Sequence, residues 1–217
     1  MKRIAIVGGG PKTDIPHLTL YKDDIDLWIG ADRGAEVLVE HGIPIDVAVG
    51  DFDSITADSL QAVKQNAVTV EQYPAEKNET DLELAVKSAW DVAGEKQIVL
   101  FGVTGGRFDH SLSNVQLLYE LVERGCRSVI VDVQNEIELF HPGTYSLEHK
   151  ARFPYVSFVP ISFNVHGLTL TGFRYPLTGH SVAFGSTLCI SNKLISETGT
   201  FSFEEGILLL IRSRDMG

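Results

Sequence analysis

The stretch QIVLFGVTGGRFDHSLSNVQLLYELVERGCRSVIVDV (97–133) decides the fold class. It opens on a continuous apolar run, QIVLFGV (97–103), and closes on another, SVIVDV (128–133). Short runs that are apolar throughout mark strands covered on both faces. Between them, DHSLSNVQLLYELVERG (109–125) places Leu112, Val115, Leu118 and Val122 on one helical stripe, with Gln116 and Tyr119 beside them. Strand–helix–strand order of this kind means a mostly parallel sheet flanked by helices.

The same alternation runs back to the start of the chain. RIAIVG (3–8), DLWIGA (26–31), DVAVG (46–50) and VTVEQY (68–73) read as strands. RGAEVLVEHG (33–42) reads as a helix ending in glycine, as helices often do. TDLELAVKSAWDVAG (80–94) carries Leu82, Ala85, Val86 and Ala89 at helical spacing, and its Thr80–Glu83 forms a capping-box pattern. After about residue 142 the pattern changes. YVSFVPIS (155–162), VHGLTLTG (165–172), TLCISNKL (187–194) and GILLLIRS (206–213) are strand-like, separated by turn signals such as TGH, FGS and ETGT. The expected fold is thus α/β plus all-β: an N-terminal α/β domain over 1–141, followed by a C-terminal β-sandwich over 142–217. FHPGTYSLEHK (140–150) is the boundary. A module as small as the second has little buried area of its own, and is expected to pack on the first domain or on a second copy.

With 44% hydrophobic and 22% charged residues, the chain of 217 has the composition of a packed protein rather than a disordered one. No apolar run approaches the roughly 20 residues of a membrane span. The start, MKRIAIVGGGPK, lacks a signal-peptide core and cleavage site, so a soluble cytoplasmic protein is expected. Cys126 and Cys189 stand far apart with no metal-ligand spacing, and read as small buried hydrophobes. A net charge of −11 with no basic run excludes a nucleic-acid footprint. It also means that a polyanionic substrate needs cations to offset the repulsion.

In a parallel sheet, ligands bind at the carboxyl ends of the strands, and here those ends collect the unusual residues. They are Gly8-Gly9-Gly10, then Asp32-Arg33, then Asp51-Phe52-Asp53, then Thr80-Asp81, then Gly105-Gly106-Arg107-Phe108-Asp109-His110. Each has a plain reading. The glycines make a tight turn, since G-x-G-x-x-G is not completed. Asp32 and Arg33 form a local ion pair, Asp81 sits in a helix first turn, and Asp109 caps a helix with His110 solvated behind it. In the solvated loop EKNE (76–79), Lys77 is the phosphate candidate. Asp51 and Asp53 resist a plain reading. In an extended segment residues i and i+2 face the same way, so both carboxylates would face one ion while Phe52 packs behind. Together with Asp81 and Asp109 they form a cluster whose repulsion a divalent cation removes. All-oxygen ligands favour Mg²⁺, and Arg33 and Arg107 suit phosphate. The chemistry reaches Mg²⁺-dependent phosphoryl transfer or phosphate-ester hydrolysis.

GADRGAEVLVEHGIPIDVAVGDFDSI, EKNETDLELAV, GVTGGRFDHSLSNVQLL and TLCISNKL…GILLLIRS together resemble the thiamine pyrophosphokinase family over nearly the whole chain. The resemblance implies an ATP-binding α/β domain, a C-terminal β-sandwich, and a homodimer with thiamine at the subunit interface. It implies a kinase-type transferase that moves diphosphate from ATP to the thiamine hydroxyl and releases AMP. By motif, Asp51, Asp53 and Asp81 would hold Mg²⁺ and the ATP phosphates, with Arg107 and Asp109 beside the transferred group. Asp32, Arg33, Thr80, Gly105, Gly106 and His110 would line the nucleotide. Ser191 and Asn192 match the thiamine-contacting segment, and Tyr175 stands where the family often has tryptophan, an aromatic face suited to a cation. A metal-dependent phosphohydrolase and a non-catalytic nucleotide or thiamine sensor are the competing classes.

Overall fold

A computed structural model describes residues 3–93 and 97–215. The chain forms two compact units that divide between Val133 and Gln134.

In the first unit the strands are β1 (Arg3–Val7), β2 (Leu27–Ala31), β3 (Ile45–Gly50), β4 (Ala67–Gln72), β5 (Gln97–Phe101) and β6 (Ser128–Val131). All neighbouring pairs are parallel, in the order β4-β3-β2-β1-β5-β6. The helices are α1 (Arg33–Glu40), α2 (Ala57–Asn66), α3 (Asp81–Ala93) and α4 (Phe108–Glu123). Every residue of β5 and β6 is buried, as continuous apolar runs require. Alternate strand residues divide between the faces. Ala5, Val7, Val99, Phe101, Val129 and Val131 join one core cluster with Ala35, Val37 and Leu38 of α1. Helix α3, which lies against β1, β2 and β3, contributes no described side chain to that cluster. The chain lays β1 to β4 outward, then returns to place β5 on the other flank of β1. That reversal leaves a crevice at the carboxyl ends of β1 and β5.

Local signals explain most boundaries. Helix α3 opens on a complete capping box: Thr80 N–H donates to Glu83 Oε2 at 2.7 Å, and Glu83 N–H to Thr80 Oγ1 at 3.2 Å. The expected end of that helix at Gly94 lies outside the described residues. Helix α1 stops at Gly42, whose φ of +62° is left-handed. One helix was not expected from the sequence, and one reading changes. Helix α2 carries a weak apolar face, with only Val63 buried; its clearest signal is Thr56, whose hydroxyl accepts from Ser59 N–H at 3.1 Å. On α4 the buried residues are Leu117, Leu118 and Leu121, whereas Leu112 and Tyr119 are exposed. The apolar stripe of α4 is therefore broader than its buried face.

The second unit contains β7 (Asn135–Phe140), β8 (Gly143–Glu148), β9 (Tyr155–Pro160), β10 (Asn164–Thr171), β11 (Leu177–Ala183), β12 (Thr198–Phe203) and β13 (Leu208–Ser213). β13 pairs antiparallel with β7 and β9, and a second antiparallel sheet runs β11-β10-β12-β8. Side chains from both sheets fill the space between them. Phe201 of β12 is fully buried, 5.1 Å from the ring of Phe158 and 5.1 Å edge-on to Phe140. The division falls at Val133/Gln134 rather than at 141/142, because NEIELF (135–140) pairs along its length with β13. TLCISNKL is not a strand. It makes isolated bridges at Asn192 and Leu194, and Ser191 is left-handed with φ 57°. TGH (178–180) lies inside β11, where the register against β10 is irregular. No helix among the described residues is long and apolar enough to cross a membrane.

The tightest contact in the first unit is at Gly34. A Cβ there would stand 1.7 Å from the Val7 carbonyl oxygen, so only glycine lets α1 lie on β1 at this distance. Gly34→Ala is expected to destabilise the protein by about 3 kcal/mol, the upper range of overpacking, measured by urea unfolding; a loss under about 1 kcal/mol would show that α1 can shift freely.

Candidate active site

The carboxyl ends of β1, β2 and β5 open into a cleft of about 670 Å³. Gly8 to Gly10 line it from β1, and Gly102 to Gly106 from β5. The two loops are tied together at their roots, Gly8 N–H donating to Phe101 O and Gly10 N–H to Gly102 O, each at 2.8 Å. Gly105 has φ +82°, and a Cβ on it would meet Asp14 Oδ2 at 2.0 Å. Gly8 to Gly10, Gly102, Gly105 and Gly106 thus leave stretches of bare backbone in the lining, a surface to which a phosphate can approach closely.

Of the residues singled out in the sequence, Asp32, Arg33, Thr80, Asp81, Gly105, Gly106, Arg107 and His110 line this cleft. Asp32 stands at the start of α1 with φ 49°; its Oδ2 accepts from Ser54 Oγ at 2.5 Å, and its Oδ1 is buried without a hydrogen bond. Burial raises the Asp32 pKa, and the nearby Asp81 and Asp51 carboxylates add to this, against relief from the Ser54 hydroxyl and the Arg33 N–H. Arg33 packs its Cβ where a Cβ on Gly9 would be only 3.0 Å away. Thr80 is committed to the capping box, leaving Asp81 at the first position of α3.

Asp51, Asp53 and Asp109 lie outside the cleft lining. Strand β3 ends at Gly50, and Phe52 is left-handed with φ 60°. The segment is a turn, so the alternation that would have aimed Asp51 and Asp53 alike does not apply. Phe52 is buried as expected, and Asp53 N–H donates to Asp51 Oδ1 at 3.1 Å. Asp51 instead faces Lys77. The ammonium stands 3.3 Å from Asp51 Oδ2 and 3.0 Å from Asp81 Oδ1. The Asp53 N–H, and then Lys77, lower the Asp51 pKa against burial. Burial pulls the Lys77 pKa down, but the contacts with Asp81 and Asp51 outweigh it and the net shift is upward.

Asp109 is not a helix cap. It lies in the first turn of α4, paired with Arg107 through Nε–Oδ1 at 3.1 Å and Nη2–Oδ2 at 2.5 Å. This fork lowers the Asp109 pKa to about 2. Both side chains are largely exposed, so the fork is open to exchange for a phosphate. Sequence reading missed Ser54, Ser113 and Asn114, which also line the cleft. Asn114 donates to Val103 O at 2.7 Å and so anchors the loop after β5. Only its polar character on an apolar helix signalled this.

In the second unit, Asn192 is 2% exposed and spends its amide on backbone. Its Oδ1 accepts from Tyr175 N–H at 3.0 Å and Lys193 N–H at 2.9 Å, and its Nδ2 donates to Tyr175 O at 2.8 Å. Asn192 therefore positions Tyr175 rather than reaching outward. The Tyr175 ring is exposed, with the Arg174 guanidinium 5.7 Å from its centroid. Ser191 is exposed, and its N–H donates to Ser157 Oγ at 2.9 Å.

Two family models match the chain. Thiamin pyrophosphokinase, catalytic domain, matches residues 18–130, and thiamin pyrophosphokinase, vitamin B1 binding domain, matches residues 144–208. A thiamine pyrophosphokinase of Bacillus subtilis (strain 168) is 50% identical over 99% of this chain and 100% of its own length. The crystal structure of thiamine pyrophosphokinase from Bacillus subtilis superposes with a TM-score of 0.93 at 48% identity, covering 99% of this chain and 100% of that one. That of thiamin pyrophosphokinase from Geobacillus thermodenitrificans gives 0.90 at 46% identity, covering 99% of each.

The raised pKa of Asp32 has a consequence for stability. Below its ordinary value of 3.8 the carboxyl is protonated folded and unfolded, and nothing is lost. As pH rises through that value the unfolded chain ionises first. Stability falls until the pH passes the folded pKa, and stays lowered at neutrality. In metal-free buffer, Asp32→Asn is expected to melt above wild type at pH 7, with the advantage shrinking toward pH 3.5. Equal melting temperatures at pH 7, followed by circular dichroism, would show that the buried charge carries no penalty.

Proposed function

The chain belongs to the thiamin pyrophosphokinase family and is a transferase, and we propose that it transfers the diphosphate of ATP to the hydroxyl of thiamine with Mg²⁺, releasing AMP. One observation carries this reading: the cleft at the sheet reversal, rimmed by Asp32 and Asp81, takes all of its lining except the loop Gly8 to Lys12 from the segment matched by the catalytic model. Bare backbone suits phosphates, and the rim suits a hard cation.

The donor set fits Mg²⁺ in kind. Asp32 Oδ1 is buried without a hydrogen bond, Asp81 Oδ1 is buried with only the Lys77 ammonium beside it, and every candidate ligand is a carboxylate. Among the described residues, no group of three or more His, Cys, Asp or Glu could hold a metal ion unaided. This matches Mg²⁺, which keeps waters and takes phosphate oxygens beside one or two carboxylates. Asp51 and Asp81 would hold it, with Asp53 alongside, and when bound it supplies neutralisation of phosphate charge.

The chain's own groups do the rest by placement. Gly8 to Gly10 and Gly102 to Gly106 let the phosphates reach backbone N–H groups. Arg33, packed over Gly9, meets their charge. Arg107 arrives with its fork already planar against Asp109 and exchanges that carboxylate for phosphate. A protein of net charge −11 needs these cations to admit ATP. Thiamine is assigned to the second unit, where Asn192 fixes Tyr175 with its ring presented to a cationic thiazolium. The reaction needs alignment of hydroxyl, phosphorus and leaving group more than covalent help.

A homodimer is the proposed assembly. Phe163, Phe184, Leu188 and Ile190 of the second unit are exposed, and Phe184 N–H donates to Phe163 O, so these apolar side chains include an adjacent pair that a second copy would cover. Buried thiols at Cys126 and Cys189 suit a cytoplasmic setting.

Incubation with ATP, Mg²⁺ and thiamine is expected to yield thiamine diphosphate and AMP, with no AMP when thiamine is left out. Phosphate release without thiamine would identify a phosphohydrolase instead, and ligand binding without turnover a sensor. Asp53→Asn is expected to lower turnover on the order of 100-fold while the melting temperature holds, since this exposed carboxylate carries little packing. Near wild-type turnover in that variant would remove Asp53 from the metal site. Light scattering is expected to give twice the chain mass, and a monomer would overturn the assembly.

A further inference from the structure

The loop PAEKNET (74–80) is polar from Glu76 onward, and Lys77 is set deeper in it than either neighbour. The residues beside it, Glu76 and Asn78, are exposed, whereas the Lys77 side chain is 12% exposed. Turning a lysine inward gives up hydration and several rotatable bonds. Helix geometry does not account for it. The next element is the N-terminus of α3, the positive end of the helix dipole, where a cation is disfavoured. What accounts for it is the pair of carboxylates, Asp51 Oδ2 at 3.3 Å and Asp81 Oδ1 at 3.0 Å, with Pro74 O a third acceptor at 3.3 Å. Asp51 comes from the end of β3 and Asp81 from the start of α3, so one ammonium joins two separate elements.

We propose that Lys77 is a built-in counter-ion: its ammonium holds the Asp51–Asp81 pair together while no divalent cation is bound, and is exchanged for that cation when it enters. This rests on the metal site assigned above and adds to it a positioning residue. Two carboxylates and one ammonium leave a charge of −1, which keeps the pair from repelling and the α3 start in register with β3. A divalent cation satisfies the same two carboxylates and repels the ammonium. The displaced ammonium starts beside Asp81, a residue of the cleft lining, within a side chain's reach of the phosphates assigned to that cleft. Metal affinity of the free protein is thereby kept low, and the gain from metal is largest when phosphates receive the displaced charge.

The experiment measures Mn²⁺ binding to the full chain without nucleotide, by proton relaxation of water, together with melting temperature in EDTA and in Mn²⁺. Lys77→Met removes the competing charge. It is expected to bind Mn²⁺ about tenfold more tightly than wild type, within the usual range of coupling between two sites, to melt lower in EDTA, and to gain more from Mn²⁺. Lys77→Arg keeps the charge and is expected to bind Mn²⁺ as wild type does. Mn²⁺ affinity in Lys77→Met equal to or weaker than wild type, with wild type still binding, overturns the exchange while leaving the metal site standing. Absence of Mn²⁺ binding in folded wild type and Lys77→Met alike overturns the metal site and this inference together. If Lys77→Met does not fold even with Mn²⁺, Lys77→Gln is judged by the same criteria.

Discussion

The pairing of β1 with β5 is the constraint on which the first unit depends. Strands two to four are laid down on one flank of β1, so β5 can reach it only by returning across the sheet. The loops leaving β1 and β5 run side by side, and glycines on both let their backbones approach closely at the mouth of the cleft. The hydrogen bonds from Gly8 and Gly10 to Phe101 and Gly102 hold that mouth at a fixed width. Every acidic and basic group of the cleft is placed relative to it. Asp32 and Arg33 arrive there because Gly34 lets α1 lie directly on β1, and Asp81 because the Thr80–Glu83 box starts α3 at the cleft rim.

The site works against the stability of its own scaffold. Three carboxylates from three elements converge, and the protein compensates each by a different means. Asp51 takes a backbone N–H and an ammonium, Asp81 shares that ammonium, and Asp32 has a serine hydroxyl on one oxygen only. Such unequal satisfaction is what a ligand can complete: a cation gains most at the oxygens the protein has left bare.

Much of this was legible in the sequence. Runs such as QIVLF and SVIV could only be strands buried on both faces, and T-D-L-E could only begin a helix. The clustering of acids at strand ends followed from those two facts. What escaped was decided by single dihedral angles and by distant partners. Asp51 and Asp53 looked alike because an extended chain was assumed, but Phe52 enters the left-handed region as its ring is buried, and the turn breaks the alternation that would have aimed the two carboxylates alike. Lys77 stood out as the phosphate candidate of a solvated loop and not as a partner of carboxylates, since nothing local shows that it will meet Asp51 twenty-six positions earlier. NEIELF resembled a continuation of the first unit until its partner β13, at the far end of the chain, was known.

Asn192 carries one last consequence. It grips position 175 by the main chain, through both the N–H and the carbonyl, and touches nothing that depends on which side chain is there. The exposed aromatic ring at 175 is thus mounted on a fixture indifferent to its own surface. Tyrosine, tryptophan or a smaller residue can be exchanged at 175 without unseating the loop. The side chain at this position is free to drift over evolutionary time, while the backbone geometry that presents it stays fixed.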